Sequence, residues 1–175
     1  MDVGSAWAVG LGVEWQDRAY PKREAKDAEG ETVEGEMRRY AQWEVAGSLE
    51  WRGRVLRNRV QAEYDRREDR FAGYYSYGAW EVGNRLRVRP ARALTLELRY
   101  SYGQKAYDVY ASTQELQDAG TPTENRYHDA SARLSLGVTR EVGLVLGSSY
   151  EQALSNDPLF DYRRLELFGE LRVRR

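Results

Sequence analysis

The chain has 175 residues, and its 27 Lys and Arg nearly balance its 28 Asp and Glu, so the formal net charge is −1. A nucleic-acid-binding protein needs a net basic surface, and we therefore expect no nucleic-acid partner. The sequence has no Cys and a single His, which excludes disulfides, thiolate chemistry and zinc sites built from Cys or from several His. We predict neither a metal site nor a cofactor.

The sequence alternates between apolar and polar residues with a period of two, which is typical of β-strands. From Trp7 to Trp15 the odd positions are Trp, Val, Leu, Val and Trp, and the even positions are mostly small or polar. The alternation returns between Tyr40 and Arg52. The same pattern predicts six further strands, at about 55–66, 73–89, 93–104, 127–139, 142–151 and 162–174. We therefore predict an all-β fold of about eight strands, formed as a single domain over residues 1–175.

The predicted connections alternate in length. Short turns are expected near residues 52–54, 89–92 and 139–141. Longer polar loops are expected at roughly 18–36, 66–72, 105–126 and 152–161. All the long loops then fall at one end of the sheet, and the short turns fall with both termini at the other. This arrangement predicts an antiparallel, up-and-down β-barrel.

Three features of the pattern favour a barrel in lipid. Trp7 and Trp15 are eight residues apart, as are Trp43 and Trp51, and eight residues span about 26 Å of strand, close to the apolar band of about 25 Å in transmembrane barrels. The polar face is also rich in Gly, Ala and Ser, which a narrow lumen needs beside long side chains, and the long loops are segregated to one end. We predict that these aromatic residues lie at the membrane interfaces: Trp7, Trp15, Trp43, Trp51, Trp80, Tyr100, Tyr102 and Tyr150.

As a pattern over its whole length, the chain resembles porin-like outer-membrane β-barrel proteins of bacteria. The segment from Ser155 to Arg164, SNDPLFDYRR, is similar to the last loop and strand of such barrels. The resemblance implies a transmembrane barrel in the outer membrane of a Gram-negative bacterium, with outer-membrane lipid around it. Such families usually end on an aromatic residue, and this chain ends on Arg175. Two interpretations therefore stay open, a complete eight-stranded barrel and a part of a larger one.

Charged residues on the polar face are the candidate functional residues. The end near the short turns is basic, with interleaved carboxylates. In a narrow barrel these groups would pair into a plug, and in a wider one their arginines would favour anionic solutes or acidic polysaccharide. We expect porin-like passage or export of such solutes, or a structural membrane module, with these lumen-lining residues: Arg57, Arg59, Glu63, Glu81, Arg85, Arg87, Glu97, Arg99, Arg133, Glu166, Glu170 and Arg172.

Two alternatives come from other classes of protein. A soluble eight-stranded barrel that binds an apolar ligand inside would show the same period of two. An outer-membrane lipid-modifying enzyme would need a His with a Ser partner, but Ser131 has the opposite parity to His128, and we expect no enzyme. No signal peptide is recognisable at Met1 and Asp2, so the expected location implies a chain that has lost its leader.

Overall fold

The computed structural model describes residues 6–111, 114–139 and 141–173. It contains eight strands in an up-and-down antiparallel sheet, and each strand pairs with its neighbours in sequence. The strands are β1 (Ala6–Lys26), β2 (Thr32–Arg52), β3 (Leu56–Asp69), β4 (Tyr77–Ala91), β5 (Leu94–Tyr107), β6 (Glu124–Gly137), β7 (Val142–Ser155) and β8 (Tyr162–Val173). One short helix, α1 (Gln114–Asp118), and a 3₁₀ turn at Pro158–Phe160 lie in the connections.

The strand number and direction agree with the sequence prediction, and the sheet is open. Its order runs from β1 to β8, so these two strands are its edges, and they do not pair with each other within the described residues. No described helix has the length and apolar character that a membrane-crossing helix requires.

The predicted loop over residues 18–36 is wrong, because β1 and β2 continue through most of it and leave only residues 27–31 as a turn. Residues 18–36 are rich in charge and have no alternating pattern. The strands there are held by backbone pairing between β1 and β2, with bulges near Tyr20 and Glu24. The turn is closed by Asp27, whose carboxylate accepts the backbone N–H groups of Glu29 and Glu31. Gly30 has a φ of 87° there, a conformation that favours glycine.

The other predicted boundaries are shifted by a few residues. The second long connection lies at 70–76 and the third at 108–123, where α1 was not expected. Pro90 lies inside the end of β4, where the ladder is interrupted between Val88 and Ala91. Proline has no N–H to donate, and the end of a strand tolerates that loss. The connections after β2, β4 and β6 are short, and the others are longer, so one end of the sheet is the turn end and the other is the loop end.

The polar face of the sheet is its inner face. On β5, Glu97 is 8% exposed whereas the next residue, Leu98, is 39% exposed. On β7, Val145 is 2% exposed and Leu146 is 47% exposed. Side chains on the inside of a curved sheet crowd one another, and those on the outside spread apart. The sheet therefore curves around its polar face and presents its apolar face outward.

Candidate functional site

The outer face carries a row of aromatic side chains across seven strands. The row consists of Trp15, Trp43, Tyr64, Trp80, Tyr102, His128 and Tyr150, one from each of β1 to β7. Its members touch along the diagonals of the sheet: the ring centroids of Trp43 and Tyr64 are 5.3 Å apart, and those of Trp80 and Tyr102 are 5.2 Å apart. The rings of Tyr102 and His128 are 4.7 Å apart. We call these seven residues the aromatic row.

The register of the sheet shows how the aromatic row runs. Trp15 lies opposite Trp43, Tyr64 opposite Trp80, and Tyr102 opposite His128. Between these pairs the row moves two residues toward the turn end, since the partner of Trp43 on β3 is Arg66 rather than Tyr64. The average shift is one residue per strand, or about 3.3 Å along the strand for about 4.8 Å across the sheet. The residues of the aromatic row therefore lie at one height, which we call level, only when the strands are tilted by about 35°. This is the tilt of the strands in closed barrels.

The aromatic row is one border of the apolar part of the outer face. A second border lies eight residues nearer the turn end on every strand. Trp7 and Trp51 form it on β1 and β2, where they lie opposite each other. The remaining strands contribute aliphatic residues at the same level, which are Leu56, Val88, Leu94, Leu136, Val142 and Val173. With the same tilt, the two borders are separated by roughly 22 Å.

No charged residue lies on the outer face between the two borders. Each strand contributes three positions there: Val9, Leu11, Val13; Val45, Gly47, Leu49; Asn58, Val60, Ala62; Val82, Asn84, Leu86; Leu96, Leu98, Tyr100; Ala130, Ala132, Leu134; Leu144, Leu146, Ser148; and Leu167, Gly169, Leu171. We call these positions the apolar band. Its two amides are hydrogen-bonded to each other, since Asn84 donates to the Oδ1 atom of Asn58 at 2.9 Å. Charged outward residues appear directly above the aromatic row, at Asp17, Arg66, Arg126 and Arg163.

The eight aromatic residues expected at membrane interfaces all lie on the outer face. Five of them belong to the aromatic row, and Trp7 and Trp51 belong to the second border. Tyr100 lies two residues from Tyr102 of the aromatic row, on the side of the turn end. Its hydroxyl is 3.0 Å from Nδ1 of His128. Tyr64 and His128 were not predicted as members, although both have the outward parity in the sequence.

The twelve residues predicted to line a lumen all lie on the inner face. Seven of the twelve are arginines near the turn end. Together with Arg52 they form a group that we call the arginine belt: Arg52, Arg57, Arg59, Arg85, Arg87, Arg99, Arg133 and Arg172. Few carboxylates compensate this belt. Glu97 pairs with Arg85 at 3.0 Å, with Arg87 at 3.4 Å and with Arg99 at 2.6 Å.

Two further carboxylates lie within the arginine belt. Glu50 pairs with Arg52 and, at 2.6 Å, with Arg57, and Glu170 pairs with Arg172 at 2.9 Å. Arg133 makes no salt bridge within the described residues; its guanidinium lies 5.5 Å from the ring centroid of Phe168. Phe168 in turn covers Gly147, its partner across β7 and β8, where any larger residue would overlap the ring.

Above the arginine belt, at the level of the aromatic row, the inner face is acidic. Seven of the eight strands contribute a carboxylate at this level once the tilt is allowed for. We call this group the acidic ring: Glu14, Glu44, Glu63, Asp65, Glu81, Asp129, Glu151 and Glu166. The sequence analysis found Glu63, Glu81 and Glu166 and missed the other five, because the common level becomes apparent only when the register of all eight strands is known.

The four loop-end connections are tied together around a group of tyrosines. Tyr110 packs against Tyr74, Tyr75 and Tyr107, with ring centroids 4.9 to 5.6 Å apart. Burial raises the pKa of both Tyr74 and Tyr110. Gln117 donates to the backbone oxygen of Glu29 at 2.6 Å, so that the third connection is anchored on the first.

The loop at 156–161 joins the same assembly. The side chain of Asn156 donates to the backbone oxygen of Pro122 at 2.8 Å and accepts the backbone N–H of Glu124 at 2.9 Å. The SNDPLFDYRR segment, which is similar to the last loop and strand of porin-like barrels, therefore joins the last two loops to each other. This role could not be inferred from its turn-forming residues alone.

His128, the catalytic candidate of the enzyme alternative, lies on the outer face, apart from Ser131. Its ring contacts Tyr100 and Tyr102 on the outer face, whereas Ser131 lies on the inner face opposite Arg99. Among the described residues, no group of three or more His, Cys, Asp or Glu is placed to hold a metal ion.

Comparisons with known proteins give a structural likeness to a solved protein. No protein-family model matches the chain, and no curated protein matches it in sequence. Among solved structures, the chain is similar to a copper transporter, OprC, with 14% identity over 97% of this chain and a TM-score of 0.43. The match covers 34% of the OprC chain, so this chain spans about a third of the length of that transporter.

Proposed function

We propose that the eight strands form part of the wall of a bacterial outer-membrane β-barrel. The inner face of the sheet then lines a water-filled passage for polar solutes. The observation that carries this proposal is the apolar band. A face on which every strand presents three uncharged positions between two level borders matches lipid, which cannot solvate charge. Its thickness of roughly 22 Å approaches the apolar band of about 25 Å that surrounds such barrels.

The placement of apolar and charged groups opposes the soluble alternative. A soluble barrel that binds an apolar ligand would have its apolar side chains inside. Here the apolar side chains are outside, with Leu11 as much as 87% exposed, whereas Glu50 and Glu97 on the inner face are only 5% and 8% exposed. In water this arrangement would expose an apolar patch far larger than a monomeric protein normally shows.

The two open edges must be paired in lipid, either with each other or with further strands. An edge strand cannot remain unpaired in lipid, because each free backbone N–H and C=O group costs several kcal/mol there. Closure of β1 on β8 would give an eight-stranded barrel, whose interior is just wide enough for side chains to fill. Passage of solute needs a wider lumen, and we propose that strands from outside the described residues complete it.

The charged side chains on the inner face support selection of solutes by their charge. Rings of charged side chains select ions in pores, with arginine favouring anions and carboxylates favouring cations. In this chain the two kinds of ring lie at different depths, the arginine belt near the turn end and the acidic ring near the loop end. A solute would therefore meet both fields in succession, and anionic groups would be held at the arginine belt.

Conductance in planar bilayers tests this proposal. We expect the purified full-length protein to fold only with detergent or lipid and to give a steady conductance. Arg133→Gln removes a belt charge that makes no salt bridge within the described residues, so it should shift the reversal potential in a salt gradient toward cation preference. The matched control is Arg126→Gln, because Arg126 lies on the outer face above the aromatic row, and its reversal potential should equal that of the unchanged protein.

Two results would contradict the proposal. A protein that folds in plain buffer would restore the soluble alternative. A protein that folds in lipid and stays silent at all voltages would be a plugged structural module.

A further inference from the structure

Four arginines of the arginine belt form a square on the inner face. The ladder between β3 and β4 places Arg57 opposite Arg87 and Arg59 opposite Arg85. We call these four residues the arginine quartet. Like charges directly opposite each other on neighbouring strands are destabilising, so this arrangement favours negative charge beside it.

The chain supplies only part of that negative charge. Glu50 is shared between Arg57 and Arg52, and Glu97 is shared among Arg85, Arg87 and Arg99. Both carboxylates are buried, at 5% and 8% exposed. These two negative charges face the quartet together with two further arginines, so positive charge is in excess.

Arg59 is the quartet member that the chain engages least. It donates to the hydroxyl oxygen of Ser48 at 3.4 Å. No salt bridge to Arg59 is present within the described residues, and its side chain is exposed. Its guanidinium is therefore not held by a carboxylate of the described residues, and Arg59 lines a cavity at the quartet.

A small cavity lies at the quartet. Its volume is about 80 Å³, and it is lined by Glu50 and the four quartet arginines alone. Since a water molecule occupies about 30 Å³ of liquid, this cavity has room for a group of a few heavy atoms. Guanidinium groups bind oxyanions through pairs of parallel N–H bonds, a geometry suited to phosphate.

We propose that the arginine quartet binds a phosphate-type tetrahedral oxyanion, either free or as the phosphate group of a polar solute. This inference rests on the proposed function in one respect, that the inner face is open to water. It adds to that function the chemical group that the passage recognises.

Calorimetric titration of the detergent-folded, full-length protein tests the site without requiring conductance. The probes are inorganic phosphate and glycerol phosphate, with chloride at matched ionic strength as the reference. We expect binding of phosphate and of its monoester above that of chloride. Arg59→Gln should weaken this binding about 10-fold or more, because charge-assisted hydrogen bonds are lost. Arg126→Gln, which removes the same charge outside the inner face, should leave it unchanged.

The outcomes separate the two proposals. Binding of the monoester alone would assign the site to phosphorylated solutes, and binding of both probes would assign it to the phosphate group itself. Equal binding by the Arg59→Gln variant, or no binding beyond that of chloride, would overturn the site. A protein that conducts without binding phosphate would retain the passage and lose the site, and one that binds phosphate without conducting would do the reverse.

Discussion

Neighbouring residues on one strand of this protein have opposite surroundings. Glu97 is buried among arginines, and Leu98 is directed outward into the apolar band. The usual rule for soluble proteins, with apolar groups inside and charges outside, is reversed at this pair. The free energy of a substitution should therefore depend on which face it alters and on its depth in the band.

Leu98→Arg tests this dependence at the residue scale. Leu98 is the middle position of the apolar band on β5, where an arginine at the bilayer midplane should cost about 2–4 kcal/mol of the free energy of unfolding. Leu94→Arg is the matched control, because Leu94 faces the same way on the same strand at the border, where the cost should be only about 0–1 kcal/mol. Denaturant titration of protein folded into lipid vesicles measures both values. Equal costs at the two positions would contradict the depth assignment.

At the scale of the strand, pairing and tilt together give the sheet its functional order. Each strand places an outward residue at the level of Trp15 and another eight residues nearer the turn end. The borders are level only for strands tilted by about 35°. The same tilt aligns the inward carboxylates into the acidic ring and the arginines into the belt below it.

Tryptophan depth measurements test the tilt. Variants that retain one tryptophan, with the other four changed to Phe, report the depth of that residue through quenching by brominated lipids. We expect Trp15, Trp43 and Trp80 to lie at one depth and Trp7 and Trp51 at the opposite interface. Without tilt, Trp80 would lie two residues, or about 6.6 Å, deeper than Trp43. A difference of that size would show that the aromatic row is not level.

At the scale of the whole molecule, the open edges decide what the sheet can do. β1 and β8 run in opposite directions and both have free edges, so they could in principle pair. If they did, the arginine belt and the acidic ring would fill the interior and leave no passage. If other strands lie between them, the same side chains line water.

Cysteine crosslinking distinguishes these two barrels. The sequence has no native cysteine, so only the introduced cysteines can form a disulfide. With a strand tilt of about 35°, Val13 on β1 and Leu167 on β8 are within one residue of the same height on the outer face. We expect Val13→Cys with Leu167→Cys to give no crosslink within one chain in lipid. The control, Val13→Cys with Val45→Cys, should crosslink efficiently because these residues are directly opposite. Efficient crosslinking of the first pair within one chain would establish a closed eight-stranded barrel.

Much of this protein could be predicted from its sequence, because a strand's faces alternate with a strict period of two. That period assigned all twelve inner residues and all eight outer aromatic residues to their faces, from Trp7 on β1 to Arg172 on β8. It failed in the first hairpin, where residues 18–26 and 32–36 are held by backbone pairing that needs no alternation. It also missed the tyrosine group of the loop end, whose members are distant in sequence.

Only the tertiary structure showed which face is concave, which residues share a level and that the eight described strands form an open sheet. Alternation separates two faces but does not say which one is concave; the burial of Glu97 beside the exposed Leu98 does. The levels of the aromatic row and the acidic ring depend on the register of every pair of strands, which is a relation between segments far apart in the chain. The opposition of Arg57 to Arg87 and of Arg59 to Arg85, on which the proposed oxyanion site depends, arises from the same long-range pairing.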